Sequence, residues 1–159
     1  MILNKILICS LSIGLLSLLS CNSSKSSTGN YTFKTECIRT EFDGTLSLIT
    51  RGSGNTKSEA IENAKRKALI DVLFHGINEG KPECYSTPII LEINARKKNE
   101  AYFDRFFGNK NEYKNFISVK KELKPLIKSV DKNMTIEIEV RVLRTELKQK
   151  MISDRILKN

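Results

Sequence analysis

The spacing of hydrophobic residues predicts one long helix near the middle of the chain, over residues 56–80. Its apolar residues recur every three or four positions, so they would share one face of a helix. They are Ile61, Ala64, Ala68, Val72 and Leu73. Charged residues fill most of the remaining positions. Two alanines on the apolar face predict close packing against a flat partner such as a β-sheet.

Capping signals set the predicted ends of this helix. Thr56 and Glu59 have capping-box spacing, in which the threonine hydroxyl accepts from the Glu59 amide and the carboxylate accepts from the Thr56 amide. At the other end, Gly80 can adopt the left-handed conformation that often ends a helix, and Pro82 prevents its resumption.

Alternating patterns predict strands on both sides of the helix. Residues 31–42 and 45–51 would pair around Asp43-Gly44, a two-residue hairpin signal. With Phe42 opposite Thr45 the apolar residues do not share a face, so a bulge or a longer loop is needed to correct the register. Residues 134–142 alternate without a break and predict a half-buried strand with one wet face.

The remaining elements complete one domain. Residues 115–123 alternate in part, and Pro125 would bend that strand or confine it to a sheet edge. Residues 131–133 form a turn signal, residues 101–107 one or two helical turns, and Thr145 would cap a closing helix. The order is ββα and then ββα with an insert, which predicts a single α+β domain: an antiparallel sheet with helices packed on one face.

Composition allows one globular domain and raises a question about partners. The 159 residues are 40% hydrophobic and 28% charged, with 27 basic and 18 acidic residues and a formal net charge of +9. Such a charge favours anionic partners, of which nucleic acid is the usual first candidate. The N-terminus argues against nucleic acid, because it has the features of an export signal.

Residues 1–20 contain one early lysine, Lys5, followed by an apolar run that is too short for a comfortable membrane span. The run ends Leu18-Leu19-Ser20-Cys21, which resembles the lipobox of bacterial lipoproteins. The resemblance implies cleavage before Cys21 by signal peptidase II and acylation of that cysteine. Several acyl chains make a durable anchor.

Residues 22–30 are small and polar and predict a flexible tether, so the chain divides into a signal peptide (1–20), a tether (21–30) and a domain (31–159). Asn22 is not aspartate, which by the sorting rule of enteric lipoproteins implies the outer membrane. Because no acidic cluster follows Cys21, we expect the domain to face the periplasm, with the cell surface as the alternative.

Two cysteines remain after processing. Cys37 and Cys84 can pair in an oxidising compartment, or they are two separate small buried residues. Metal binding is not expected with one histidine and no CxxC spacing, and no cofactor fingerprint is present.

Two groups of residues carry the alternative functions. His75 follows Asp71 by four residues, so a hydrolase would use this pair with a serine from elsewhere, although no GxSxG turn exists. The aromatic residues Tyr102, Phe103 and Phe106 would line a pocket for a small ligand or cell-wall glycan, or else pack in the core.

The capped, alanine-punctuated helix after a glycine-containing strand also resembles small envelope lipoproteins related to the N-terminal domain of flagellar assembly protein T. The resemblance covers the region from Ser47 to the residues just after 80 and implies an interaction module with no known catalytic residues. We therefore expect a non-enzymatic lipoprotein without cofactors, anchored in the outer membrane through its lipid. It would serve a cell-envelope assembly of secretion or motility type by binding an envelope protein, and would not bind nucleic acid.

Overall fold

The strands of the described part of the chain form one sheet, and the described helices pack against it. The computed structural model describes residues 34–108, 110–128 and 134–158, which belong to one compact unit. The predicted signal peptide, the tether, Cys21 and the turn at 131–133 lie outside the described residues. Within them the fold is α+β, as the sequence predicts.

Five strands occur in the described part of the chain. They are β1 (Glu36–Thr40), β2 (Leu46–Gly54), β3 (Glu79–Gly80), β4 (Ile117–Lys128) and β5 (Met134–Val142), in the spatial order β3-β1-β2-β5-β4. Four of them pair antiparallel, as predicted. The short β3 pairs parallel to β1, so the sheet is mixed at this edge.

The described α-helices are α1 (Lys57–Ile70), α2 (Ala95–Lys98), α3 (Glu100–Phe107) and α4 (Arg144–Ser153). A π-helical turn, Asp71–His75, continues α1, and two 3₁₀ turns lie at Pro82–Cys84 and Glu112–Phe116. The closing helix begins at Arg144, and Thr145 does not cap it. The Thr145 hydroxyl instead donates to the Asp43 carbonyl at 3.3 Å, because the hairpin turn lies beside this helix.

Helix α1 lies directly on β2, which confirms the close approach that its alanines predict. Ala60, Ala64 and Ala68 are fully buried. A Cβ on Gly52 would come within 2.3 Å of the Ala60 carbonyl oxygen and the Ala64 amide nitrogen. A side chain at this position would therefore push the helix off the sheet.

Both ends of the central helix differ from the prediction in detail. The Thr56 hydroxyl accepts from the Glu59 amide as predicted, but the Glu59 carboxylate accepts from the Asn55 amide. The helical segment ends at Gly76, with φ +77°, and not at Gly80. It ends early because the Val72 and Leu73 carbonyls accept hydrogen bonds from a distant segment, the amides of residues 89 and 90.

The β1–β2 connection confirms the need for a longer loop and a bulge. Thr40 pairs with Leu46, so the connection is longer than the predicted two-residue turn, and the register shifts between Cys37 and Arg39. Strand β5 matches its prediction: Ile136, Ile138, Val140 and Val142 are buried between polar neighbours. Pro125 lies on the edge strand β4, at a break in its pairing.

Candidate functional site

The His75–Asp71 pair forms as its spacing predicts. His75 Nδ1 lies 3.0 Å from Asp71 Oδ1. Asp71 also accepts from the Thr35 hydroxyl at 2.5 Å and the Lys67 ammonium at 2.7 Å. Burial tends to raise the pKa of Asp71, but the hydrogen bonds from His75, Lys67 and Thr35 outweigh it and hold the pKa below its usual value.

This geometry suits a structural role for Asp71. Its carboxylate joins the chain before β1 to the end of the central helix. The His75 side chain is 65% exposed, and no serine, threonine or cysteine of the described residues hydrogen-bonds to it. A nucleophilic mechanism needs such a neighbour within reach of the base.

The predicted aromatic pocket is not formed by the residues expected. Phe103 and Phe106 are buried, each in edge-to-face contact with another phenylalanine. Tyr102 is half-buried, and its hydroxyl donates to Asp154 at 2.6 Å. The two phenylalanine rings therefore pack in the core and are not available to stack on a sugar or other ligand.

A second aromatic contact was missed by sequence reasoning. The Tyr113 hydroxyl hydrogen-bonds to the Glu62 carboxylate on α1, and the Arg66 guanidinium lies 5.4 Å from the ring centre. Burial and the Glu62 hydrogen bond raise the pKa of Tyr113 to about 12. Although burial opposes it, hydrogen bonds from Lys65 and Tyr113 lower the pKa of Glu62 to about 2. These contacts hold the 3₁₀ turn Glu112–Phe116 against the central helix.

Cys37 and Cys84 are joined in a disulfide, with their Cα atoms 6.2 Å apart. Both residues are buried, and the bond ties the 3₁₀ turn Pro82–Cys84 to strand β1. Within the described residues no group of His, Cys, Asp and Glu side chains is placed to hold a metal ion. No helix in that part of the chain is long and apolar enough to cross a membrane.

Two large aliphatic side chains are exposed close together on a short loop that we call the apolar tip, residues 91–93. Leu91 is 73% exposed and Ile93 is 81% exposed. The chain that leads into the loop is held in place, since the buried Ile89 and Ile90 donate backbone hydrogen bonds to the Val72 and Leu73 carbonyls at 3.1 and 2.9 Å. Two aliphatic side chains are thus presented to solvent on a fixed support.

Basic side chains border the apolar tip. Two open grooves adjoin it, and we call their cationic lining residues the basic rim: Arg96, Lys98, Arg155 and Lys158. Among the described residues, Glu92 is the one carboxylate lining either groove, and it pairs with Lys98 at 2.5 Å. The hydrogen bond from Lys98 and the positive charges of Lys98 and Lys158 lower the pKa of Glu92. The surface is therefore both apolar and cationic.

The sequence analysis did not predict this surface. Residues 89–93 form an apolar run, and a charged run begins three residues later at Arg96. The juxtaposition of an apolar run and basic residues was the available signal. Arg155 and Lys158 reach the same place only through the packing of the C-terminal segment.

Comparison of the chain with protein-family models, curated proteins and solved structures gave no match.

Proposed function

We propose that this protein is a lipid-anchored, non-enzymatic component of a cell-envelope assembly, held at the outer membrane through Cys21 and facing the periplasm. It acts by contact with other envelope components. The observation that carries the proposal is the apolar tip with its basic rim, on a domain whose candidate catalytic residues are engaged in structural hydrogen bonds. The lipobox resemblance supplies the anchor.

The arrangement of the domain supports action by contact. Exposed aliphatic side chains that lie together mark interaction surfaces more often than single exposed residues do. Here the chain leading into the loop is held by backbone hydrogen bonds to a buried helix end, so little conformational entropy would be lost on binding. The disulfide and the Asp71 contacts keep the surrounding frame rigid.

A lipid anchor would strengthen weak contacts of this kind. Tethering converts a second binding event into an intramolecular one, with an effective concentration of about a millimolar for a short flexible linker. A modest surface of this size can then hold a partner that it would not hold from solution. The predicted tether of small polar residues has the composition that such linkers require.

The experiment starts from full-length protein in its native membrane, with Cys21→Ala as the matched variant. Intact mass should show cleavage before Cys21 plus acyl chains, and Cys21→Ala should lack both. Amine-reactive cross-linking of intact cells should then recover defined envelope proteins with the acylated protein and not with the variant. Absence of acylation, or a turnover reaction abolished by His75→Ala with no cross-linked protein, would overturn the proposal.

A further inference from the structure

We infer that the apolar tip and its basic rim bind the anionic headgroup surface of the bilayer that carries the protein's own lipid anchor. This inference rests on the proposed anchor at Cys21. It goes further by naming the ligand chemistry of the tip, an anionic phospholipid surface. It also fixes the orientation of the domain, because the tip must point at the membrane.

The apolar side chains suit insertion at a membrane interface. Leu91 and Ile93 project from one short loop, with Glu92 between them turned into a salt bridge with Lys98. Interfacial segments place their aliphatic side chains just below the headgroups and their cationic residues at the headgroup level. The other large hydrophobic residues that are exposed in the described ranges lie apart in the sequence: Phe42, Tyr85 and Val119.

Charge complementarity favours an anionic lipid surface. Counting the residues that the structure describes, the basic rim has four cationic residues against the single carboxylate of Glu92. Arg96 and Arg155 have no ion-pair partner among the described residues, so their charge is available to a ligand. Each basic residue near an anionic leaflet raises the membrane-binding constant about fivefold. A bilayer also imposes no shape requirement on a tip of two side chains.

The length of chain between the anchor and the domain permits this contact without dictating it. Twelve residues separate Cys21 from Lys34, the first described residue, and a fully extended chain of that length spans at most about 40 Å. A domain of this size has a radius of gyration of about 14 Å and so is about 35 Å across. Such a linker can let any face meet the membrane, so surface chemistry has to select the face.

A tryptophan reporter tests the inference in the acylated, full-length protein, because the natural chain contains no tryptophan. Ile93→Trp places the reporter on the tip. Phe42→Trp is the matched control, since Phe42 is also exposed but lies between the carboxylates of Glu41 and Asp43. Both proteins are reconstituted in vesicles of phosphatidylethanolamine and phosphatidylglycerol, and in vesicles of phosphatidylcholine alone.

In anionic vesicles the emission of Ile93→Trp should shift to shorter wavelength and be quenched by brominated lipid, while Phe42→Trp should stay solvent-like. Phosphatidylcholine vesicles should give a weaker effect at position 93. Equal quenching at both positions, or none at position 93 in anionic vesicles, would overturn the inference. Quenching that is independent of lipid charge would also overturn it.

Charge variants in the Ile93→Trp background separate specific from general electrostatics. Arg96→Gln with Lys158→Gln should lower the ratio of membrane-bound to free tip by roughly thirtyfold. Lys121→Gln with Lys148→Gln makes the same charge change at exposed positions outside the rim and should have little effect. Equal losses in the two pairs would refute a role for the rim.

The outcome is distinguishable from failure of the proposed function. If lipid does not quench the tip in vesicles while envelope proteins still cross-link to acylated protein in cells, the proposed function stands and only the lipid contact is wrong. A tip that loses its solvent exposure only when a cross-linked protein is present would assign the surface to that protein. Loss of acylation in the native membrane would remove both proposals.

Discussion

Removing the Cys37–Cys84 disulfide is expected to lower the free energy of unfolding by about 4 kcal/mol. The bond closes a loop across a sequence separation of 47 residues. In the chain-entropy model, a loop of this length restricts the unfolded chain by about 4 kcal/mol at room temperature. The bond should matter structurally as well, because β3 contributes only two residues of pairing to the sheet edge.

The assay is urea unfolding of the domain, residues 31–159, followed by far-ultraviolet circular dichroism with and without reductant. With a slope of about 2 kcal/mol per molar urea, the midpoint should fall by about 2 M on reduction. The Cys37→Ala, Cys84→Ala double variant should match the reduced protein closely, since both residues then lack the cross-link. Its slope should be larger than that of the oxidised protein, because its unfolded chain is less compact.

Two results would refute this reasoning. Equal midpoints for the oxidised and reduced protein would show that the cross-link does not limit the unfolded chain. A double variant far less stable than the reduced protein would show that packing of the buried sulfur atoms, and not loop closure, supplies the stability. Reductant should leave the midpoint of the double variant unchanged, which serves as the control.

Three further predictions concern the frame that carries the tip. Gly52→Ala should destabilise the domain by about 1–3 kcal/mol in urea titrations, because the added Cβ meets the backbone of α1. As a control, Ser118→Ala at an exposed position of the edge strand β4 should change the free energy of unfolding by less than about 0.5 kcal/mol. Asp71→Asn should cost about 1–3 kcal/mol at neutral pH. Because the pKa of Asp71 is lowered in the folded protein, the stabilisation by its carboxylate is present above its unfolded pKa of about 3.9 and is lost as the pH falls through the folded value. In thermal scans, the melting temperature of the variant should therefore fall less on acidification than that of the wild type. Tyr113→Phe should cost about 1 kcal/mol, and the raised pKa of Tyr113, about 12, predicts that the difference disappears as pH rises from about 10 to about 12, measured by urea unfolding at each pH.

The sequence by itself determined the elements whose signals are local. The central helix follows from its periodic apolar residues and from Thr56, whose side chain accepts the predicted hydrogen bond. Strand β5 follows from strict alternation, because each side chain on a strand points to the opposite face from its neighbour. The α+β class follows from the order of these elements. The His75–Asp71 contact is equally local, since residues four apart meet on a helix.

Tertiary structure decided what depends on partners distant in the chain. The helix ends at Gly76 because its last carbonyls bond to residues 89 and 90, which no local pattern reveals. The burial of Phe103 and the disulfide between Cys37 and Cys84 likewise depend on how the segment between the central helix and β4 folds back onto the core. The apolar tip is exposed while Ile89 and Ile90 beside it are buried. The leucine and the isoleucines of residues 89–93 have similar hydropathy. Only packing against the helix end therefore separates the buried core residues from the candidate contact surface.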